Sequence, residues 1–202
     1  MVMQAFSYHR DRDYANARAT ASRFLQFYPA DGDAAYAQYL VALSYYDQID
    51  DVGRDQNITV EALKALGTLI ELYPSSEYAK DAKAKFDLTY DHLAAKEMEI
   101  GRFYLKRGHY AAAVNRFRAV VEQFETSRHT PEALHRLVES YLSLGLNAEA
   151  QTAAAILGHN FQASEWYEAS YQLLQGKGLG VQGGAGGWLG NILTRAARNE
   201  WI

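Results

Sequence analysis

Cysteine is absent from the 202-residue chain, and proline occurs only three times. Without cysteine, the polypeptide itself cannot form a disulfide, a thiolate zinc site, a cysteine nucleophile or a lipid-modified cysteine. Lysine and arginine number 20 against 24 acidic residues, which gives a net charge of −4. The protein therefore lacks the basic excess on which nucleic-acid binding depends, and no nucleic-acid partner is expected. It also lacks an apolar run long enough to cross a bilayer as a helix.

Signatures of catalysis and cofactor binding are missing as well. None of the six histidines lies four residues from another, the spacing of a helical zinc pair, and no G-x-S-x-G nucleophile motif occurs. Gly178, Gly180 and Gly183 spell G-x-G-x-x-G, but a helical pattern precedes them where a dinucleotide site needs a strand. The acidic loop at residues 47–57 breaks the calcium-binding register. We expect no enzyme activity, no cofactor and no metal.

An internal repeat is present instead. Tyr104 and Gly108 recur as Tyr141 and Gly145, each 37 residues later. Earlier in the sequence the segment LQFYP is repeated as IELYP 45 residues later. This spacing is longer than 37 residues because it includes the polar loop at residues 47–57. A repeat of this length with helical periodicity indicates stacked helical hairpins.

The best copy fits the tetratricopeptide repeat, a 34-residue helix–turn–helix unit. Gly101 and Ala113 take the small positions that let two helices approach closely, and Tyr104 and Phe117 take the large ones. Gly108 ends the first helix. In this repeat we expect the first helix from about residue 79 to 107 and the second from 110 to 124.

These features predict an all-α tetratricopeptide-repeat solenoid of about four helical-hairpin repeats plus a C-terminal capping helix at residues 164–175. The solenoid would cover residues 1–175. Residues 176–190 hold eight glycines in fifteen positions and read as a flexible linker. Residues 191–202 form a short C-terminal segment with the apolar pattern of a helix, which either docks or frays.

Aromatic residues of the N-terminal repeats are candidates for a peptide-binding groove. Phe6, His9 and Arg10 fall at positions of the first helix that face the concave side in this repeat type. Tyr36 and Tyr39 belong to a helix whose tyrosines cover more than one face. They either line the groove as anchors for a peptide or pack against the next repeat.

Arg116 is the candidate for binding a folded partner. It lies in the segment AVNRFRAVV, where Phe117 and Val120 take the inward positions. Arg116 therefore points away from the buried face of the helix. At the surface its guanidinium either contributes to solubility or binds a carboxylate of a partner in a bidentate pair.

Two segments carry a resemblance to a known family. LYPSSEYAKDA and YLKRGHYAAAVNRF, with the inserted polar loop before them, are similar in order and spacing to the BamD family. Its members are periplasmic lipoproteins of the bacterial outer-membrane β-barrel assembly machine. The resemblance covers about residues 1–174.

The resemblance implies a non-enzymatic scaffold at the periplasmic face of the outer membrane. Such a scaffold binds a POTRA domain of BamA and other subunits of the machine, and helps to deliver unfolded β-barrel precursors. The resemblance also implies that Arg116 forms an ion pair with the POTRA domain, and that the groove bearing Phe6, His9 and Arg10 receives precursors.

The family's signal peptide, lipidated cysteine and first repeat have no counterpart in these residues. We therefore expect an N-terminally truncated member whose membrane association depends on a lipid anchor absent from this polypeptide. The alternative interpretation is a generic tetratricopeptide-repeat adaptor that binds other peptides.

Overall fold

The computed structural model describes residues 1–184, 186–198 and 200–201, and every helix or strand assigned within them is an α-helix. This confirms the predicted all-α class. None of these described helices is both long and apolar enough to cross a membrane. The helices are α1 (Val2–Arg10), α2 (Tyr14–Phe27), α3 (Ala34–Tyr46), α4 (Asn57–Leu72), α5 (Ala79–Lys106), α6 (Tyr110–Gln123), α7 (Thr130–Ser143), α8 (Asn147–Asn160), α9 (Glu165–Gly176) and α10 (Gly187–Ala197).

The helices follow the predicted tetratricopeptide pattern of hairpins. Helix α1 packs on α2, α3 on α4, and α7 on α8. Helices α2, α4, α6 and α8 all end in the same way, at an aromatic residue whose N–H donates to the carbonyl four residues earlier. The four aromatic residues have nearly equal backbone angles, with φ between −129° and −134°, and are Tyr28, Tyr73, Phe124 and Phe161. The prediction for α5 and α6 is confirmed to within one residue at each end.

Each second helix of a hairpin has an alanine near its start that is buried between helices. These alanines are completely buried, and they are Ala17, Ala62, Ala113 and Ala150. The turns before α6 and α8 contain Gly108 and Gly145 with φ of +75° and +76°. Only glycine adopts this left-handed conformation at little cost, so both chain reversals depend on these residues.

The protein divides into two compact units, Met1–Leu93 and Ala94–Ile202, and their boundary falls inside α5. The solenoid predicted for residues 1–175 contains this boundary. In the first unit, α1, α2 and α3 share one apolar core around Phe24 and Leu40. A second core, around Leu66 and Leu69, joins α3 and α4 to the beginning of α5.

The second unit has one larger core formed by α5 to α10. Its centre includes Phe117, Leu134, Leu137 and Leu157, each completely buried. Helix α9 begins as predicted, because the side chain of Ser164 accepts a hydrogen bond from the N–H of Tyr167 and caps the helix.

Helices α7 and α9 are joined by a buried polar contact. Nδ1 of His135 lies 2.9 Å from Oγ of Ser170, and that hydroxyl donates to the carbonyl of Trp166 at 2.8 Å. Burial lowers the pKa of His135, against the opposing charge of Glu139 on its own helix. A neutral imidazole that donates from Nδ1 to the hydroxyl therefore gives both His135 and Ser170 a hydrogen-bond partner at this contact.

The C-terminal residues differ from the predicted boundaries. Helix α10 begins at Gly187, four residues before the expected segment, and packs on α8. Its apolar face is buried, as is Trp201 beyond it. Within the predicted linker, the N–H of Gly184 donates to Oγ1 of Thr152 at 3.1 Å. Ala185, Asn199 and Ile202 lie outside the described residues.

The close approach of α5 and α6 predicts that alanine will destabilise the protein at one helix glycine and not at another. A Cβ at Gly101 would lie 2.5 Å from Cε1 of Phe117, a completely buried ring. We expect Gly101→Ala to lower the free energy of unfolding by about 1–3 kcal/mol, because overpacking displaces this ring. Urea denaturation measures the change.

Gly67→Ala is the matched control, because it also changes a glycine inside a helix. Its Cβ would lie 3.5 Å from Cε2 of Phe86, an ordinary contact. We expect this substitution to be neutral or to stabilise by up to about 1 kcal/mol through helix propensity. Equal stability of the two variants would contradict the close-contact assignment.

Candidate functional site

Four aromatic residues in the first unit form a surface cluster, the aromatic cluster, made of Phe6, Tyr36, Tyr39 and Tyr78. The ring of Tyr78 stacks on Tyr39 with centroids 5.0 Å apart and contacts Tyr36 at 5.2 Å. Phe6 lies 6.5 Å from Tyr36. All four side chains are half-buried, so one part of each ring packs and another part remains accessible.

The cluster is positioned by consecutive first helices of the hairpins. Phe6 lies on α1, Tyr36 and Tyr39 lie on α3 one helical turn apart, and Tyr78 immediately precedes α5. Residues three positions apart on a helix share a face, so both α3 tyrosines reach Tyr78. The α3 tyrosines therefore pack on the next hairpin, which is the second of the alternatives raised for them, and edges of both rings stay exposed.

Charged groups fix one end of the cluster. The hydroxyl of Tyr39 donates to Oδ2 of Asp81 at 2.5 Å, and Nζ of Lys85 donates to the same oxygen at 2.7 Å. These bonds lower the pKa of Asp81, the one from Lys85 contributing most. Burial and the carboxylate raise the pKa of Tyr39 above its ordinary value. At neutral pH the hydroxyl is protonated, the carboxylate is ionised, and the ring is held in place.

The other two predicted groove residues, Arg10 and His9, have different neighbours. The guanidinium of Arg10 lies 5.9 Å from the ring centroid of Phe6, at the α1 end of the cluster. His9 instead contacts Tyr14 of α2, with ring centroids 5.5 Å apart. Its Nε2 lies 3.2 Å from Oδ2 of Asp47, without the geometry of a hydrogen bond. The structure thus brings Phe6 to Tyr36 and Arg10 to Phe6, whereas His9 contacts α2 and lies near the residue that follows α3.

Sequence reasoning missed Tyr78, Asp81 and Lys85. Tyr78 lies within the segment LYPSSEYAKDA, but no pattern in the sequence marks it as the ring that joins both α3 tyrosines. The i, i+4 spacing of Asp81 and Lys85 is visible in the sequence and is typical of a helical ion pair. Their connection to Tyr39, 42 residues before Asp81, depends on the fold.

Arg116 lies in the second unit, on α6. Its Nη1 donates to Oε2 of Glu97 on α5 at 3.1 Å, and 43% of its side chain is exposed. A guanidinium has five N–H donors, so this single bond leaves most of them for another acceptor. Glu97 also orients the side chain, because the bond runs from one helix to the next.

Neighbouring arginines are engaged more completely. Arg102 makes a bidentate pair with Glu132 of α7, with Nε 2.9 Å from Oε1 and Nη2 2.5 Å from Oε2. Arg118 makes a bidentate pair with Glu122, both bonds at 2.9 Å. Of these three arginines, only Arg116 combines exposure with a single internal hydrogen bond.

Two carboxylates of the acidic loop accept from neighbouring donors. Oδ2 of Asp50 pairs with Nη1 of Arg54 at 2.8 Å, and Oδ1 of Asp51 accepts from the N–H of Gly53 at 2.8 Å. Over the part of the protein that the structure describes, no group of three His, Asp or Glu side chains is placed to hold a metal ion.

The sequence matches a family model described as "YfiO: Outer membrane lipoprotein" over residues 1–156. The match covers more than half of the chain, and this helical-hairpin protein therefore belongs to that family of outer membrane lipoproteins.

Its relatives are named outer membrane protein assembly factor BamD. The chain is 49% identical to BamD of Caulobacter vibrioides over 179 residues, which is 89% of the chain and 59% of that relative. It is 45% identical to BamD of Rickettsia prowazekii over 174 residues, 86% of the chain and 69% of the relative. BamD of Neisseria meningitidis serogroup A is 30% identical over 178 residues, 83% of the chain and 67% of the relative. The chain thus spans about three fifths of the length of the Caulobacter relative.

The aromatic cluster predicts that Tyr78 stabilises the first unit through its ring. We expect Tyr78→Ala to lower the free energy of unfolding by about 1–3 kcal/mol, because two ring contacts are lost together with their buried area. Tyr78→Phe keeps the ring and should change stability by less than about 1 kcal/mol. Urea denaturation followed by near-UV circular dichroism compares the two, and an equally stable Tyr78→Ala variant would show that the rings do not pack in solution.

Proposed function

We propose that this protein is a non-enzymatic scaffold of an outer-membrane protein assembly machine, located at the periplasmic face of the outer membrane. In this role it binds a POTRA domain of BamA and helps to deliver unfolded β-barrel precursors for insertion. The observation that carries the proposal is the family match, which covers most of the sequence and includes relatives named assembly factors. Helical-hairpin arrays mostly serve binding, which supports a scaffold.

Arg116 is the residue proposed to contact the POTRA domain. Its exposed guanidinium retains free donors while Glu97 holds it in one orientation. A carboxylate of the partner would accept two parallel hydrogen bonds from such a group, the strongest geometry for this pair. Because Glu97 already orders the side chain, less rotamer entropy is lost on binding.

We expect Arg116→Glu to weaken binding to the BamA POTRA domain by at least about thirtyfold, equivalent to about 2 kcal/mol. The substitution removes the donors and places a negative charge opposite the partner's carboxylate. Titration of the protein with the isolated POTRA domain by isothermal calorimetry measures the loss.

Arg118→Glu is the matched control, with the same charge change two residues away on α6. Two residues turn a helix by about 200°, so Arg118 faces nearly the opposite direction. We expect its affinity to stay within about threefold of the unsubstituted protein. Equal losses in both variants, or no binding by the unsubstituted protein, would refute the Arg116 interface, and binding of peptides alone would favour a generic adaptor.

The aromatic cluster is the proposed contact for precursors. Its accessible ring edges offer stacking partners for an aromatic side chain of an extended segment. Arg10 lies beside Phe6 at one end of the cluster, where it would attract a carboxylate such as the α-carboxylate of a precursor. The relevant ligand class is therefore an unfolded segment that ends in an aromatic residue.

A ten-residue peptide of alternating apolar and polar residues that ends in Phe tests this contact. We expect Tyr36→Ala to weaken its binding at least about fivefold, as loss of an aromatic anchor does, while Tyr36→Phe has little effect. Fluorescence anisotropy of the labelled peptide gives the affinities.

Phe27→Ala is the control, since this ring is 62% exposed in the same unit but lies outside the cluster. A peptide that ends in Ser should bind weakly to every variant. If Phe27→Ala reduced binding as much as Tyr36→Ala does, the cluster would not be the precursor contact.

A further inference from the structure

Two helix–helix corners of the second unit present an exposed surface that the proposed function does not use. We call it the turn edge, and it consists of Phe103, Lys106, Arg107, His109, Leu144 and Leu146. Phe103, Leu144 and Leu146 are 48%, 41% and 42% exposed. Among the described residues of this unit, the only other exposed large hydrophobic residues are Tyr171 and Leu173.

The two corners form one continuous surface. The ring of Tyr104 lies 5.7 Å from that of Phe103 and 6.3 Å from that of His109. Leu144, from the following corner, lines the same shallow depression as Tyr104 and His109. The corners have matching glycine turns, and at the 37-residue offset Leu144 corresponds to Arg107 and Leu146 to His109.

The turn edge is also basic, although the whole protein has a net charge of −4. No acidic residue occurs between Glu99 and Glu122 in the sequence. The arginines of this stretch outside the edge pair with glutamates, and they are Arg102, Arg116 and Arg118.

Lys106 and Arg107 are both exposed, and within the described residues neither has an acidic partner. The guanidinium of Arg107 lies 4.1 Å over the ring of Phe103, so charge and apolar surface coincide. Unpaired positive charge beside exposed apolar side chains is complementary to a surface with an anionic outer layer and an apolar layer below it.

We propose that the turn edge docks on the surface of an anionic lipid bilayer. Phe103, Leu144 and Leu146 enter the headgroup region, while Lys106 and Arg107 contact lipid phosphates. An acidic peptide is the less suitable partner, because the side chains project from turn tips around a shallow depression and line no deep groove. This contact concerns lipid and is separate from the Arg116 interface, whose arginine pairs with Glu97.

The absence of cysteine allows a single polarity-sensitive label. Leu144→Cys carrying a nitrobenzoxadiazole group is mixed with vesicles of equal parts phosphatidylglycerol and phosphatidylcholine, and with vesicles of phosphatidylcholine alone. We expect a shift of the emission to shorter wavelength with the anionic vesicles only. The control is Leu173→Cys with the same label, a leucine of the same unit that is 39% exposed on α9, and its emission should not change.

Charge reversal tests how much the basic residues of the turn edge contribute to vesicle binding. Lys106→Glu with Arg107→Glu, in the labelled Leu144→Cys protein, should weaken vesicle binding by about thirtyfold or more, given roughly fivefold per basic residue at an anionic surface. Lys80→Glu with Lys83→Glu makes the same charge change at exposed positions of the first unit and should weaken it less than about threefold.

Several results would overturn the proposal. They are an unchanged emission at position 144, an equal shift at position 173, or full binding by the variant with Lys106→Glu and Arg107→Glu. Soluble poly-glutamate tests the alternative partner, an acidic protein. If it shifted the emission as strongly as the anionic vesicles do, the edge would be a site for acidic proteins, and the lipid assignment would be wrong.

Discussion

The close contact between the two helices of each hairpin is the constraint on which both proposed interaction faces depend. Packed helices in general have axes about 8–10 Å apart, which leaves no room for a large side chain on both partners. An alanine at the start of each second helix, and Gly101 opposite Phe117, provide that space. Large side chains then fill the grooves beside the contact. Second helices also pack on the first helix of the next hairpin, as α2 does on α3 and α6 on α7. Only the remaining side of each helix is therefore available for binding.

The two units use these free sides differently. In the first unit, aromatic side chains from successive hairpins contact one another, and the bonds from Asp81 to Tyr39 and Lys85 hold one end in place. In the second unit, glutamates engage most of the arginines, and Glu97 holds Arg116 by a single bond. A rigid aromatic surface suits an extended segment, whereas an oriented and partly free guanidinium suits a folded partner with a fixed carboxylate.

The sequence was sufficient for the hairpins because their determinants recur along it. Glycines 37 residues apart predicted the corners, and the limits of α5 and α6 followed from helical periodicity. Contacts between residues that are far apart in the sequence have no such recurring pattern. Tyr78 has no local pattern that connects it to Tyr39, and Glu97 is an ordinary surface residue until α6 packs beside it. Helix α10 began earlier than expected because burial against α8 outweighs the low helix propensity of its glycines.

Hydrogen exchange of the whole protein, with and without a BamA POTRA domain, tests the central claim most directly, namely that the Arg116 side of the second unit binds that domain. We predict slower exchange in peptides that cover Glu97 and Arg116, with no change in peptides that cover α1 and α3. Slower exchange confined to α1 and α3, where the aromatic cluster lies, would contradict this claim.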